Sequence, residues 1–354
     1  MKKTAYIGRG FLQNFYSSLS YYIKSPLVLS TLRFIIPALV CGCQEIMADD
    51  DEIETKSVIM SQSGPPVKNM DIFMFEDGEM MILDSYQRID WIHGYEVTTA
   101  SRKGKRLAFV VANGQWNKED WMSVNSYEAL EKYRAFLENE SYYYPVMCGI
   151  CHLRADSKQT IWMDLTCLCA EVILRSVRCD FSDKAYKNTT IYDLRAYLIN
   201  VNAQCALTSD GTMMPERIIN MGGINGRDMA GMQEPEMLLR YGGSLASGQS
   251  LELDFRFRCY PNNCPEESPG SPFTRLVLEG AIDGVTYYWP IDIGRNGNCQ
   301  PDAVGVKGNT RYIYDVTITG KGGDNPDVPV SCEILSTNVK ISEWREKEEY
   351  IIGF

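Results

Sequence analysis

The residues best suited to chemistry in this sequence are Cys148, Cys151 and His152, which form a C-x-x-C-H motif. Such a motif attaches a c-type haem, because its thiols bond the vinyl groups and its histidine serves as axial ligand. Together with Cys167 and Cys169, these residues also supply enough donors for a four-coordinate zinc site. The motif is short, however, and predicted strands surround it, where Cys167 and Cys169 belong to an alternating pattern. We therefore expect no metal and no cofactor.

The remaining thiols have two interpretations. The chain has twelve cysteines, of which ten follow Cys43. They are either buried as small apolar side chains or joined in disulfides, for example between Cys259 and Cys264. So many cysteines in an exported protein indicate either disulfides or an anaerobic habitat.

Motifs of the common enzyme classes are missing from the sequence. It has no G-x-S-x-G, no H-E-x-x-H and no phosphate-binding loop, and its only histidines are His93 and His152. Two pairs of carboxylates, Glu234 with Glu236 and Glu252 with Asp254, lie in patterns typical of solvated faces. We expect a protein that is not an enzyme.

The charge of the chain argues against nucleic acid as a partner. The formal net charge is −11, and residues 1–43 contain five basic side chains and no acidic one, so the rest is more acidic still. Nucleic-acid binding needs a basic surface, and so does electrostatic docking on an anionic membrane. Two aromatic clusters, at 142–144 and 287–289, offer a glycan-binding surface as one interpretation; packing in a sandwich core or edge is the more common use.

The elements that would position these residues are β-strands. Apolar and polar residues alternate at 67–75, 251–260 and 312–319. A mostly apolar strand is predicted at 105–113 and a hairpin at 274–293, with Gly and Pro turns between the runs. This pattern predicts an all-β fold, and the length favours two sandwich domains, at 57–160 and 161–354. We expect one short surface helix within 121–137 and a long loop at 208–250.

Residues 1–43 have the character of a targeting segment. Basic residues precede a short apolar run that ends in Val40-Cys41-Gly42-Cys43, which resembles a bacterial lipobox with Cys43 as the lipidated residue. The alternative is an ordinary secretory signal cut nearby. Residues 44–56 follow as an acidic tether or propeptide.

The segment 309–354 ends in an apolar run that needs a partner. Two alternating stretches, at 312–319 and 332–344, precede the apolar residues Tyr350-Ile351-Ile352-Gly353-Phe354. Such a segment either closes the sheet of its own molecule or adds a strand to the sheet of another.

Several segments in order resemble the Bacteroidales fimbrillins, the subunits of type V pili. They are VKNMDIFMFEDGEMMILDS at 67–85, KRLAFVVANG at 105–114, YPVM at 144–147, FTRLVLEGAIDGVTYYWPIDI at 273–293, NTRYIYDVTITGKGGDNPDVPV at 309–330 and VKISEW at 339–344. The chain departs from the family at Cys148, where serine is usual, and at Gly308, where arginine commonly precedes Asn309.

The resemblance implies two tandem transthyretin-like (Ig-like) β-sandwiches and a role as a structural fimbrial subunit that supports adhesion. It implies an exported lipoprotein precursor, held in the outer membrane by lipid on Cys43 and displayed at the cell surface. It further implies a cut after a basic residue, for which Lys56 is the candidate, and strand donation to other fimbrial subunits. The donor would be residues 344–354, with Trp344, Tyr350, Ile351, Ile352 and Phe354 as its apolar residues.

Two other functions stay open. The first is a surface lipoprotein that does not polymerise, either a pilus anchor or a module that binds glycan or protein. The second is an exported haem or metal protein, which depends on Cys148, Cys151 and His152 alone.

Overall fold

β-Strands dominate the computed structural model, which describes residues 53–60, 65–90, 96–155, 160–295, 305–331 and 333–344. The prediction of an all-β fold is confirmed. Among the described residues, no helix has both the length and the apolar character needed to span a bilayer.

Strands before residue 168 build two sheets. The three-stranded sheet has the order β4-β1-β8, with β1 (Ile53–Met60), β4 (Glu96–Arg102) and β8 (Thr160–Met163). The five-stranded sheet has the order β3-β2-β5-β7-β9, with β2 (Asn69–Glu76), β3 (Leu83–Asp90), β5 (Gly104–Ala112), β7 (Met147–Ala155) and β9 (Thr166–Cys167). An apolar cluster joins the two sheets, since it contains Met70 and Val110 from one and Val97 and Met163 from the other.

Strands after residue 169 build two four-stranded sheets. One has the order β16-β10-β19-β20, with β10 (Ala170–Cys179), β16 (Ser250–Cys259), β19 (Thr310–Ile318) and β20 (Leu335–Glu343). The other has the order β15-β11-β17-β18, with β11 (Thr190–Ile199), β15 (Leu239–Ala246), β17 (Arg275–Ile282) and β18 (Val285–Asp292). As predicted for β19, Tyr312, Tyr314, Val316 and Ile318 are buried in the core. That core also takes in the second face of the five-stranded sheet.

Short elements connect the sheets. They are β6 (Arg134–Phe136), paired with β13 (Gln204–Ala206); β12 (Val201–Asn202), paired with β14 (Ile218–Ile219); the helices α1 (Tyr127–Leu130) and α2 (Gly226–Gly231); and 3₁₀ turns at Lys118–Ser123, Leu137–Asn139 and Pro235–Met237.

Two local predictions are wrong. Residues 121–137 do not form one surface helix: a 3₁₀ turn, one helical turn and β6 share the segment, because Trp121 and Leu130 are buried and β6 pairs with β13. Residues 208–250 are not one loop, since they contain α2 and the sheet strand β15. The division at residue 160 stays a prediction; β8 and β9, which begin at residues 160 and 166, pair with β1 and β7.

Candidate assembly site at β1 and the end of β20

Of the predicted site residues, Lys56 and Trp344 fall in described segments. Cys43 and the apolar residues Tyr350, Ile351, Ile352 and Phe354 lie outside the described residues, as do the lipobox and most of the predicted tether. The geometry of the candidate site therefore concerns two places, namely the strand that contains Lys56 and the end of the strand that precedes the predicted donor.

Lys56 lies in the middle of β1, and β1 is the central strand of its sheet. On one side β1 runs antiparallel to β4, where Lys56 stands opposite Thr99. On the other side it runs parallel to β8, where Ser57 stands opposite Thr160. The predicted boundary at 56/57 thus divides a single strand, and the backbone on both sides of that peptide bond belongs to a ladder.

The sheet that β1 completes covers an apolar core. Val97, Thr99 and Ser101 of β4 are buried, and so is Met163 of β8. Val97 and Met163 contact the methionines of β2 and the alanine and valine of β5 within one cluster. Because neighbouring strands lie about 4.8 Å apart, loss of β1 would leave a gap of about 10 Å between β4 and β8. Such a gap would have two unpaired edges and an apolar floor.

Trp344 follows β20 directly and is fixed by its own molecule. β20 pairs with β19 along its full length, from Leu335 to Glu343. The N–H of Trp344 then donates to the carbonyl of Asn309 at 2.8 Å, and the indole is only 4% exposed. The guanidinium carbon of Arg258 lies 4.2 Å from the indole centroid, in cation–π contact. Residues beyond Trp344 therefore start from an anchored point.

A buried charge network supports this anchor. Glu171 accepts hydrogen bonds from Arg258 Nη1 at 2.6 Å and from Arg311 Nε at 2.5 Å. Burial alone would raise the pKa of Glu171, but the two guanidinium groups hold it below the ordinary value of 4.5. Glu171 is therefore a carboxylate that orients Arg258 between the rings of Trp344 and Tyr142.

A second buried carboxyl, Glu140, has the opposite character. It accepts from Tyr260 Oη at 2.5 Å and from the N–H of Val146 at 2.8 Å. Burial raises the pKa of Glu140, because those neutral donors do not offset the cost of burying its charge. The sequence analysis missed both acids. The sequence holds only a weak signal for Glu171, namely that it alternates with the apolar residues Ala170 and Val172 and therefore lies on the opposite face of β10.

The C-x-x-C-H residues do not meet at one site. Cys148 and Cys151 are three positions apart in β7, which places them on opposite faces of the sheet. Cys148 is buried, whereas His152 is exposed and its Nδ1 lies 3.4 Å from Asp77 Oδ2. In the described part of the chain, no group of three or more His, Cys, Asp or Glu could hold a metal ion. These residues therefore fit neither the haem nor the zinc hypothesis.

The thiols among the described residues are separate. Cys259 and Cys264 are both buried free thiols, so the disulfide considered between them is wrong. Burial raises the pKa of Cys205 and Cys259 to about 12, which keeps them protonated and unreactive. They act as small core side chains.

The two aromatic clusters are mainly structural. Tyr142 stacks on Arg258, and Trp289 is fully buried with its indole N–H donating to the carbonyl of Gly320 at 3.0 Å. Tyr143 and Tyr144 of the first cluster are exposed. Core packing therefore accounts for most of these rings.

Sequence comparison finds no matching protein-family model and no matching curated protein. Structure comparison does find similar folds. A candidate cell adhesion protein from Bacteroides eggerthii matches with a TM-score of 0.60 and 15% identity, over 83% of this chain and 97% of that one. A fimbrilin from Porphyromonas gingivalis W83 matches with a TM-score of 0.60 and 13% identity, over 84% and 99%. A candidate cell adhesion protein from Parabacteroides distasonis matches with a TM-score of 0.59 and 13% identity, over 84% and 98%. The chain has the fold of these proteins across most of its length.

Proposed function

We propose that this chain, which shares its fold with a fimbrilin and with candidate adhesion proteins, is a structural subunit of a cell-surface fimbria. It is exported as a lipoprotein precursor with lipid on Cys43, is activated by proteolysis and then assembles with other subunits by donor-strand exchange. The observation that carries the proposal is the position of β1, the central strand of a sheet over an apolar core and the first described strand of the chain. One cut downstream of β1 would detach it covalently from the rest of the fold.

Loss of β1 would create a site for an added strand. The inner edges of β4 and β8 would each lose a ladder of hydrogen bonds, and buried residues such as Val97 and Met163 would meet water. Unpaired edges over an apolar floor favour the addition of a strand from another chain. The incoming strand forms backbone hydrogen bonds of the kind that β1 made. The same step therefore fills the groove and joins two subunits.

Two basic residues compete as the processing site. A protease binds its substrate as an unpaired extended segment. Lys56 is paired with Thr99 of β4, and the next residue, Ser57, is paired with both β4 and β8, so a cut between them requires β1 to leave the sheet first. The next basic residue along the chain is Lys68, an exposed residue just before β2. Its N–H donates to Asn113 Oδ1 at 2.8 Å and the next residue, Asn69, is paired with Asp90, so a cut there also requires the chain to open locally. A cut after Lys68 would detach all of β1 and leave β2 whole. N-terminal sequencing of the mature protein separates the two sites.

The donor is the segment that follows Trp344. Its apolar residues Tyr350, Ile351, Ile352 and Phe354 supply side chains for the groove, while charged residues fill 345–349. Trp344 serves as the root of this arm, because its ring and backbone are held by Arg258 and Asn309. A fixed root lowers the entropy that the arm loses when it enters a neighbour.

The test compares chains that begin at residues 44, 57 and 69, each with and without residues 345–354. Size-exclusion chromatography and electron microscopy report ladders or filaments. We expect the chain from residue 69 to polymerise, the chain from residue 44 to stay monomeric, and deletion of 345–354 to abolish polymers. If all forms stay monomeric, the assembly proposal fails.

A surface lipoprotein that does not polymerise, such as a pilus anchor, is the second candidate. The observation in its favour is the paired state of Lys56, which protects the predicted cut. Cell-surface protein that keeps residues 53–60 covalently attached would support this function over the first.

A further inference from the structure

A polar cavity of about 590 Å³ has no residue of β1 or β20 in its lining, although Lys68, the second candidate processing site, lies in its wall. Residues at the start of β2, at the end of β3 and in the loop after β5 line it, together with Asn139 and Gln233. Its volume is within the range of about 300–1,000 Å³ that is usual for small-molecule sites. Such sites are mostly apolar, whereas this cavity has a mainly polar lining.

Side-chain amides dominate that lining. They belong to Asn69, Gln115, Asn117, Asn139 and Gln233. Each amide carries a carbonyl acceptor and two N–H donors, so the cavity offers both kinds of partner on several sides. Gln115 is rigid, because its Oε1 accepts from the N–H of Phe136 and its Nε2 donates to the same residue's carbonyl, both at 2.9 Å.

Other amide groups retain hydrogen-bonding capacity. Gln233 Nε2 donates to Asn139 Oδ1 at 3.4 Å, which leaves Gln233 Oε1 and Asn139 Nδ2 without a partner among the described residues. Asn69 Oδ1 is buried in the wall and accepts no hydrogen bond there. A ligand that both accepts and donates would satisfy such groups.

The charges around the cavity cancel. Arg88 Nη1 lies 2.9 Å from Asp71 and Arg88 Nε lies 3.1 Å from Asp90. The wall itself holds two cations, Arg88 and Lys68, and one carboxylate, Asp90, while Asp71 is buried behind Arg88 and does not line the cavity. With Asp71 counted, the formal charges of the wall and its immediate support sum to zero, so neither an anion nor a cation is attracted by a net charge. Trp116 is half-buried and adds an aromatic surface to the lining.

We propose that this cavity binds a neutral glycan, a short chain of uncharged sugars. Sugar hydroxyls donate and accept, as the amides do, and the apolar face of a sugar ring packs on an indole. The absence of net charge disfavours phosphorylated and acidic ligands. The site would give a surface protein, as proposed above, a means of contact with glycans, and it does not depend on strand exchange.

The experiment uses the full uncut chain on an array of neutral and sialylated oligosaccharides. Saturation-transfer NMR in solution follows, with lactose, maltotriose and sialyllactose as probes. We expect binding of at least one neutral sugar, with little change in affinity as ionic strength rises, because no net charge is involved. Gln233→Ala and Asn139→Ala should each weaken that binding about 3- to 10-fold, which corresponds to loss of one or two hydrogen bonds.

Both substituted residues are exposed, so the variants should fold, and a thermal unfolding curve checks this. Gln249→Ala, at an exposed turn outside the cavity, is the matched control and should bind as the wild type does. The proposal is overturned by no binding of neutral sugars up to about 10 mM, beyond the range of useful specific affinity. It is also overturned by binding confined to sialylated probes, or by unchanged affinity in both cavity variants. Because the uncut chain is tested as a monomer, failure here leaves the assembly proposal intact.

Discussion

Trp344→Ala should destabilise the protein far more than Trp162→Ala. Trp344 is 4% exposed and stacks on Arg258, whereas Trp162 on β8 is 71% exposed. Truncation of a buried tryptophan to alanine costs about 3–5 kcal/mol, the sum of lost burial and the cavity that remains. The cation–π contact adds little net cost, since Arg258 keeps the ring of Tyr142 and the carboxylate of Glu171.

The matched control removes an equal volume from the surface. Trp162→Ala should cost less than about 1 kcal/mol, because most of that indole is already in water. Urea unfolding followed by far-UV circular dichroism measures both variants, since this signal does not depend on the number of tryptophans. Trp344→Phe should recover part of the lost stability by refilling the site.

The reasoning is refuted if the two alanine variants unfold within about 1 kcal/mol of each other, which is close to the usual error of extrapolation. That result would mean that Trp344 is not anchored and that the arm beyond it has no fixed root. Reduced polymerisation by Trp344→Ala, with the monomer still folded, would instead support its role as the root.

Three further predictions concern buried groups. Glu171→Gln should lower the free energy of unfolding by about 3–5 kcal/mol at pH 7, because it leaves Arg258 without its carboxylate. The wild type should lose stability as pH falls below about 4.5, since the folded pKa of Glu171 lies below 4.5, and the variant should not show this loss. Glu140→Gln should change stability little at acidic pH and should remove the loss that the wild type shows as pH rises above about 4.5, since the folded pKa of Glu140 is raised. Urea unfolding from about pH 2 to pH 8 covers the windows of both acids, and parallel profiles of wild type and variants would contradict the assignment. Gly308→Ala should lower the free energy of unfolding by about 1–3 kcal/mol, because a Cβ there would lie 2.7 Å from a backbone carbonyl. Gly270→Ala, in open space, should leave stability unchanged or raise it slightly, and thermal unfolding of the two variants measures the difference.

Strands with their own alternation could be predicted from the sequence. β19 has a regular period of two, and the β17–β18 hairpin consists of two strand-like runs on either side of Asp283-Gly284, so local information was enough. β15 could not be found in this way, because Gly242 and Gly243 interrupt its pattern and its strand character comes from pairing with β11. The segment 121–137 failed for a related reason: aromatic residues at helical spacing pack inward from separate turns.

The candidate site depends on long-range pairing that no local pattern reveals. The register of β1 is set by β4 and by β8, which lie about 40 and about 100 residues further along the chain. The local sequence around Lys56 therefore could not predict that Lys56 is paired in a sheet. The same holds for Glu171, whose partners Arg258 and Arg311 are 87 and 140 residues away. The departure at Gly308 does have a physical reason, since any side chain there would clash with the carbonyl of Leu168.

The most direct test of strand donation is binding of a peptide with the sequence of residues 345–354 to a chain that spans residues 69–344. This chain lacks β1 and its own donor, so the groove between β4 and β8 is open and self-assembly is prevented. We expect the peptide to bind with a Kd of about 10 µM or tighter, to protect β4 and β8 amides from hydrogen exchange, and to be ignored by a chain that retains β1. Equal binding to both chains, or binding to neither while a peptide of residues 53–60 binds the open chain, would contradict the account.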